Sequence, residues 1–290
     1  MTTCSYIITG IDLGPDTERN ISYAAYFAAG TGATVRLLYI IDYLLTPPSY
    51  LSSYIEEEKN KEEKEVARLQ DLLGGFSVKN EASVILGRLH ESFEQVITET
   101  SADLLVIGYR SHLLRPSSSE RLIKSLAVPM LVVRGKYAEN ASPGTVRIRK
   151  ILCPIDFSSS SLKALSMAKA YAGLFSADLQ IMHVVPSHRL KEKWEQWLKP
   201  LEDDRQRFQE GLYSGAAEKL SQIRDEFDVQ SEGVISQGTP GEMICSAADE
   251  GAYDMIVMGA RGLSYIQGVL IGSTTESVLK ASPCPVLVVH

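Results

Sequence analysis

A parallel α/β fold in two tandem copies is what this sequence predicts, on three observations. Short β-branched runs alternate with helical patterns along the chain, the signature of βαβ units and a parallel sheet. The order of those runs recurs: Ile7-Ile-Thr-Gly-Ile-Asp12 parallels Ile151-Leu-Cys-Pro-Ile-Asp156, and Ser125-Leu-Ala-Val-Pro-Met-Leu-Val-Val133 parallels Ala281-Ser-Pro-Cys-Pro-Val-Leu-Val-Val289. The length, 290 residues, is enough for one large domain or for two of ordinary size, and either half could bury a core.

In the first copy, the opening strand at Ile7–Asp12 leads into an Ala-rich helical stretch and a second strand, Thr34–Ile40. The charged run Glu56–Glu65, with Glu57 and Lys61 spaced i,i+4, reads as a solvated helix face. Strands follow at Ala102–Gly108 and at the end of Ser125–Val133. The join lies near Gly135 to Arg147, where Asn140-Ala-Ser-Pro-Gly144 is rich in turn formers. The domains are therefore expected at 1–135 and 148–290. In the second copy, strands are expected near 150–154, 179–185, 229–235, 255–258 and 286–289, and helices near 160–175, within 190–226, and near 241–250 and 273–281. Trp194-Glu-Gln-Trp197, in a longer insertion, reads as an amphipathic helix packing on its own domain in preference to a partner groove.

Composition narrows the function. A hydrophobic fraction of 44% and a charged fraction of 22% are those of a soluble globular protein. A net charge of −7 and a pI near 5.4 argue against nonspecific binding to nucleic acid or to an anionic membrane. No apolar run approaches the roughly 20 residues of a membrane span, and the N-terminus lacks a basic leader, so a signal peptide is not expected. Cys4, Cys153, Cys245 and Cys284 form no C-x-x-C pair; buried free thiols in a reducing cytoplasm are expected. The chain has no Walker lysine motif, no Gly-x-Ser-x-Gly elbow and no metal-ligand His cluster, so high-turnover catalysis is not expected. His183 closes a strand and reads as structural, not as a general base.

The chemistry concentrates near the end of the chain. A strand ending at Met258 delivers Gly259-Ala-Arg-Gly262 to the carboxyl edge of the sheet, where open α/β sheets bind ligands. Nine residues later, Gly272-Ser273 opens a helix whose N-terminal amides and positive dipole end suit a phosphate. If the first and fourth strands are neighbours, Asp156, at the end of the first strand of this half, faces the same crevice and could accept from ribose hydroxyls. A purely structural reading competes: Ser273-Thr-Thr-Glu276 has the spacing of a capping box, and the glycines are turn formers.

The second half resembles the universal stress protein family. The family's ATP-binding pattern, Gly, two residues, Gly, nine residues, Gly, then Ser or Thr, is present as Gly259, Gly262, Gly272 and Ser273. The family's opening appears as Pro154-Ile-Asp-Phe-Ser158, its second-strand ending as His183-Val184, and its Gly-x-Pro turn as Gly238-Thr-Pro240. The resemblance implies two tandem flavodoxin-like (Rossmann-like) domains, each a five-stranded parallel sheet of order 3-2-1-4-5 with helices on both faces. It also implies ATP, with Mg²⁺, as the ligand. The backbone of Val184 would contact the adenine with Pro154 and Ile155 nearby; Asp156 and Gly259 would hold the ribose; Gly262, Gly272, Ser273 and Thr274 would hold the phosphates. Gly238 and Met258 complete the expected lining. Arg261 reads equally as an added positive contact or as a solvated surface residue. Family members pair through the last strand, which implies a homodimer and an intrachain pseudo-dimer through Met130–Val133 and Val286–Val289. Slow ATP hydrolysis, with Glu276 and Asp156 as the available carboxylates, and an interaction role in which nucleotide is incidental are the alternatives.

The first half departs from the pattern. Gly108-Tyr-Arg-Ser111 lacks the second glycine, the loop is shorter, and Pro116-Ser117 replaces Gly-Ser. Proline has no N–H to donate. Asp12 remains, and Ser117-Ser-Ser-Glu120 keeps the capping-box spacing. The first half is therefore not expected to bind ATP in the family manner.

Overall fold

The computed structural model describes residues 4–42, 52–109, 118–139, 141–142, 144–186, 202–262 and 271–290. The Trp194–Trp197 stretch lies outside the described residues. The chain divides into two compact units between Arg147 and Ile148.

The first unit runs β1 (Tyr6–Ile11), α1 (Thr17–Thr31), β2 (Thr34–Asp42), α2 (Ser52–Gly74), β3 (Asn80–Gly87), α3 (Leu89–Thr100), β4 (Leu104–Gly108), α4 (Ser118–Ile123) and β5 (Met130–Val133). Its strands pair in the order β3-β2-β1-β4-β5, every pair parallel. The second unit runs β6 (Lys150–Pro154), α5 (Ser159–Phe175), β7 (Asp178–Pro186), α6 (Glu202–Glu226), β8 (Val234–Gly238), α7 (Pro240–Glu250), β9 (Met255–Gly259), α8 (Ser273–Ala281) and β10 (Val286–Val289). Its order is β8-β7-β6-β9-β10, again all parallel. Each sheet thus has the 3-2-1-4-5 order. The chain steps one way from the first strand to the third and the other way afterwards. Right-handed crossovers then put the first two helices and the last two on opposite faces.

The reversal falls between β6 and β9, and β9 is buried at all five residues, as a central parallel strand should be. Below them, Asp254 Oδ2 accepts from the amides of Arg149 and Lys150, at 2.7 and 2.9 Å. Asp103 Oδ2 does the same for Ser5 and Tyr6, at 2.7 and 3.0 Å, so the clamp is repeated with the sequence. The charged run of α2 is solvated as expected; its ion pairs are Lys59–Glu63 and Arg68–Glu65, while Val66, Leu69 and Leu73 are buried on the other side. Cys4, Cys153 and Cys284 are buried free thiols, and Cys245 is half-buried.

The third strand of the second unit differs from expectation. It starts at Val234, not at 229. Asp228 takes a left-handed conformation (φ 49°) behind α6, and the Val229 amide bonds back to Arg224. Val229 is therefore buried as part of the helix ending, and the ladder to β7 begins at Val234 opposite Met182.

Candidate functional site

The crevice of the second unit is built outward from the end of β6. Ile155 donates its amide to the Met182 carbonyl at 2.7 Å, and the chain then turns. Asp156 Oδ1 accepts from the amide of Ser158 at 3.0 Å and from its hydroxyl. That hydroxyl in turn caps α5 by accepting from the Ser161 amide at 3.2 Å. Phe157, between them, is left-handed at φ 67°. The first unit repeats the device: Asp12 Oδ1 accepts from Gly14 N and Thr17 Oγ1, at 2.9 and 3.1 Å, and Leu13 is left-handed at φ 56°. One carboxylate oxygen of this aspartate therefore shapes the turn in both copies.

The three glycines of the loop have different reasons to be glycine. A Cβ at Gly259 would lie 2.5 Å from Ser160 Oγ and 2.9–3.0 Å from the Ser160 backbone, so packing of β9 against the start of α5 requires glycine there. The same position in the first unit, Gly108, lies against Asn20. A Cβ at Gly262 would overlap Asp156 Oδ2, which places this backbone directly on the carboxylate. At Gly272 the nearest atoms to a Cβ, from Ala260, Arg261 and Gly262, are all 3.6 Å away, and φ is −79°. The fold does not require glycine at 272.

Helix α8 starts differently from the capping-box expectation. Its N-cap is Gly272, with extended φ/ψ and no side-chain bond; Ser273 is the first helical residue and is exposed. The helix start is held instead by the buried Thr275 hydroxyl, which donates to the Gly259 carbonyl at 2.9 Å. In the first unit Ser119 donates its hydroxyl to Gly108 in the same way, whereas Ser111, Pro116 and Ser117 lie outside the described residues. The Gly272 amide donates to the Ala260 carbonyl at 2.8 Å, so it is not one of the open donors. The open donors are the amides of Ser273 and Thr274: none of the described residues accepts from them, and the first helical bond belongs to Glu276. Ser273 is thus free of the structural role that its spacing suggested.

On the other side of β6 lie Val184 and His183. Val184 is buried, as are Pro154, Ile155 and Met258. The Ile155 carbonyl accepts from His183 Nδ1 at 2.7 Å, which fixes the neutral ring with its proton on Nδ1. Burial holds the His183 pKa below its usual value, against the opposing pull of that carbonyl and of Asp156. The ring lies against Phe157, with centroids 4.3 Å apart, and Lys219 Nζ is 5.8 Å from the Phe157 centroid. The structure agrees with the reading of His183 as structural and adds its partner, the Ile155 carbonyl 28 residues away, which leaves no trace in periodicity.

Asp156, Gly259, Gly262, Gly272, Ser273 and Thr274 therefore gather around the ends of β6 and β9. Gly238 stands apart from them at the end of β8, opposite Pro186 of β7. It has a reason of its own: φ is 155°, and a Cβ would meet Met243 at 2.8 Å, in the turn into α7. Arg261 is half-buried beside the loop. Glu276 Oε1 is paired with Lys280 Nζ at 2.9 Å, along the helix. In the first unit, Tyr109 occupies the position of Ala260; its hydroxyl donates to Glu120 Oε1 at 2.8 Å, and the Arg134 guanidinium carbon lies 5.0 Å from its ring centroid. Among the described residues, no group of three His, Cys, Asp or Glu could hold a metal ion, and no helix is long and apolar enough to cross a membrane.

Comparison with known proteins places these features in context. The model of the universal stress protein family matches residues 5–134 and again 147–290. A universal stress protein of Methanocaldococcus jannaschii is 31% identical over 156 residues, covering 50% of this chain and 96% of its own. One from Mycolicibacterium smegmatis is 23% identical over 308 residues, covering 98% of this chain and 96% of its own. The crystal structure of a universal stress protein from Archaeoglobus fulgidus aligns with a TM-score of 0.73 at 20% identity, over 99% of this chain and 97% of that one.

Proposed function

The chain belongs to the universal stress protein family in both of its halves, and from that premise we propose that it binds one adenine nucleotide, ATP with Mg²⁺, in the crevice of the second unit. The observation that carries this reading is the start of α8. Two helical amides, of Ser273 and Thr274, have no acceptor among the described residues, beside a glycine that the fold does not need. Helix N-termini of this kind favour phosphate, since N–H donors and the dipole act together. The ribose falls to Asp156, whose Oδ1 shapes the turn and whose Oδ2 lies against Gly262. The base falls to Val184, beyond the end of β6. When bound, Mg²⁺ would neutralise phosphate charge.

The first unit has the fold without the site. Tyr109, Glu120 and Arg134 cluster where the second unit has a small residue at the loop. The protein acts as a nucleotide-responsive module in a stress response, not as a high-turnover enzyme. Glu276, in the first turn of α8, is paired with Lys280, which leaves it less available to activate water. Calorimetric titration with ATP, ADP, AMP, a cyclic nucleotide and GTP, each with Mg²⁺, tests the proposal. Saturable binding with preference for adenine supports it; no measurable binding of any adenine nucleotide refutes it.

A further inference from the structure

Resting on that nucleotide reading, we propose that His183 is the positioning residue of the base site: by taking the Ile155 carbonyl out of the strand ladder, it leaves the Val184 backbone to the purine. In a parallel strand, the N–H and C=O of one residue point to the same neighbour, and alternate residues serve alternate neighbours. Met182 serves β6, because its carbonyl accepts from the Ile155 amide at 2.7 Å. Val184, two residues on, faces the same side. The next rung of the ladder would run from the Val184 amide to the Ile155 carbonyl. That carbonyl instead accepts from His183 Nδ1 at 2.7 Å, and none of the described residues accepts from the Val184 amide. The β6–β7 pairing accordingly stops at Pro154 opposite Met182.

The first unit is the internal control. Tyr39 stands where the second unit has His183, and there the ladder runs one rung further: Gly10 opposite Leu38, then Ile11 opposite Tyr39. The imidazole is thus associated with early release of the strand end. It is also well held, half-buried against Phe157. The consequence is chemical. An amide N–H and a C=O side by side present a donor and an acceptor. Adenine offers the complementary pair, a ring-nitrogen acceptor beside an exocyclic amine donor. Guanine offers the reverse, a ring N–H beside a carbonyl. Freeing the Val184 backbone therefore selects adenine over guanine without any base-reading side chain.

The test uses the full chain with His183→Tyr, which installs the residue of the first unit, and His183→Asn, whose amide can reach the same carbonyl. Three quantities are measured: hydrogen exchange of the Val184 amide in the nucleotide-free protein, the ratio of ATP to GTP affinity, and the affinity for inorganic tripolyphosphate. The wild type should show a fast-exchanging Val184 amide. In His183→Tyr that amide should become protected and the ATP-to-GTP ratio should fall about tenfold, the scale of one or two hydrogen bonds. Tripolyphosphate affinity should be unchanged, and His183→Asn should keep the wild-type ratio. An unchanged ratio and an unprotected Val184 amide in His183→Tyr would overturn the proposal, as would an equal loss for tripolyphosphate, which marks a merely structural role. Should the wild type bind no adenine nucleotide, the functional reading fails, while the exchange measurement still decides the claim about the ladder.

Discussion

Replacing Gly259, Gly262 and Gly272 by alanine, one at a time, separates the glycines that the fold needs from the one that a ligand needs. At Gly259 the new methyl would sit 2.5 Å from Ser160 Oγ and 2.9–3.0 Å from the Ser160 backbone, which cannot rotate away. Overpacking of this kind costs about 1–3 kcal/mol, or roughly 2–12 °C in Tm for a protein of this size. At Gly262 the methyl meets Asp156 Oδ2, a side chain that can shift, so the variant should fold with an altered ribose contact and weakened nucleotide binding. At Gly272 nothing lies within 3.6 Å and φ is −79°. The cost of alanine at an N-cap is offset in part by its lower entropy in the unfolded chain, so stability should change by less than about 1 kcal/mol. A phosphate drawn to the Ser273 and Thr274 amides would meet that methyl. Loss of one charge-assisted hydrogen bond, about 1.5–3 kcal/mol, corresponds to a 10- to 150-fold weaker Kd, roughly. Thermal denaturation and calorimetric titration with ATP read the two effects. The reasoning is refuted if Gly272→Ala binds ATP like the wild type, or if it loses as much stability as Gly259→Ala.

Two other outcomes follow from burial. Because the His183 pKa is depressed in the folded state relative to 6.5, the unfolded chain takes up the proton first as pH falls. The contribution of this group to stability is complete above about pH 6.5 and is lost as pH drops through the folded pKa. Urea denaturation at pH 7.5 and 5.5 should show a drop in stability that shrinks in His183→Asn; an equal drop in both proteins would contradict this. Among the thiols, the half-buried Cys245 should react first with a disulfide reagent in the native protein. Cys284, whose pKa burial pushes up to about 12, and Cys153, pushed up by burial as well, should react only on unfolding. Native reactivity of Cys153 at the rate of Cys245 would argue against the core as described.

The alternation of strands and helices and its repetition are legible in the apolar patterning that the two halves share, whereas the 3-2-1-4-5 strand order is implied only by the family resemblance. What was not legible depends on contacts between residues distant in the chain. The strand expected from 229 begins at Val234, since the turn at Asp228 draws Val229 into the ending of α6. Ser273 has the spacing of a cap, yet Gly272 is the cap and Thr275 fastens the helix to Gly259. Periodicity marks Gly259, Gly262 and Gly272 alike; only their neighbours in space, Ser160 and Asp156, show that two of them are required by packing and one is not. Asp12 and Asp156 stand at the same place in the two copies, and each holds its turn through Oδ1. The presence of aspartate alone therefore does not distinguish the two copies, whereas the loop does.

The central claim is one adenine nucleotide per chain, held by the second unit. The most direct measurement is to denature the purified protein after saturation with ATP and removal of excess, and to quantify the released nucleotide by chromatography. One equivalent per chain, falling sharply in Gly272→Ala, is the expected result. Two equivalents would contradict the reading of the first unit, and none would contradict the reading of the second.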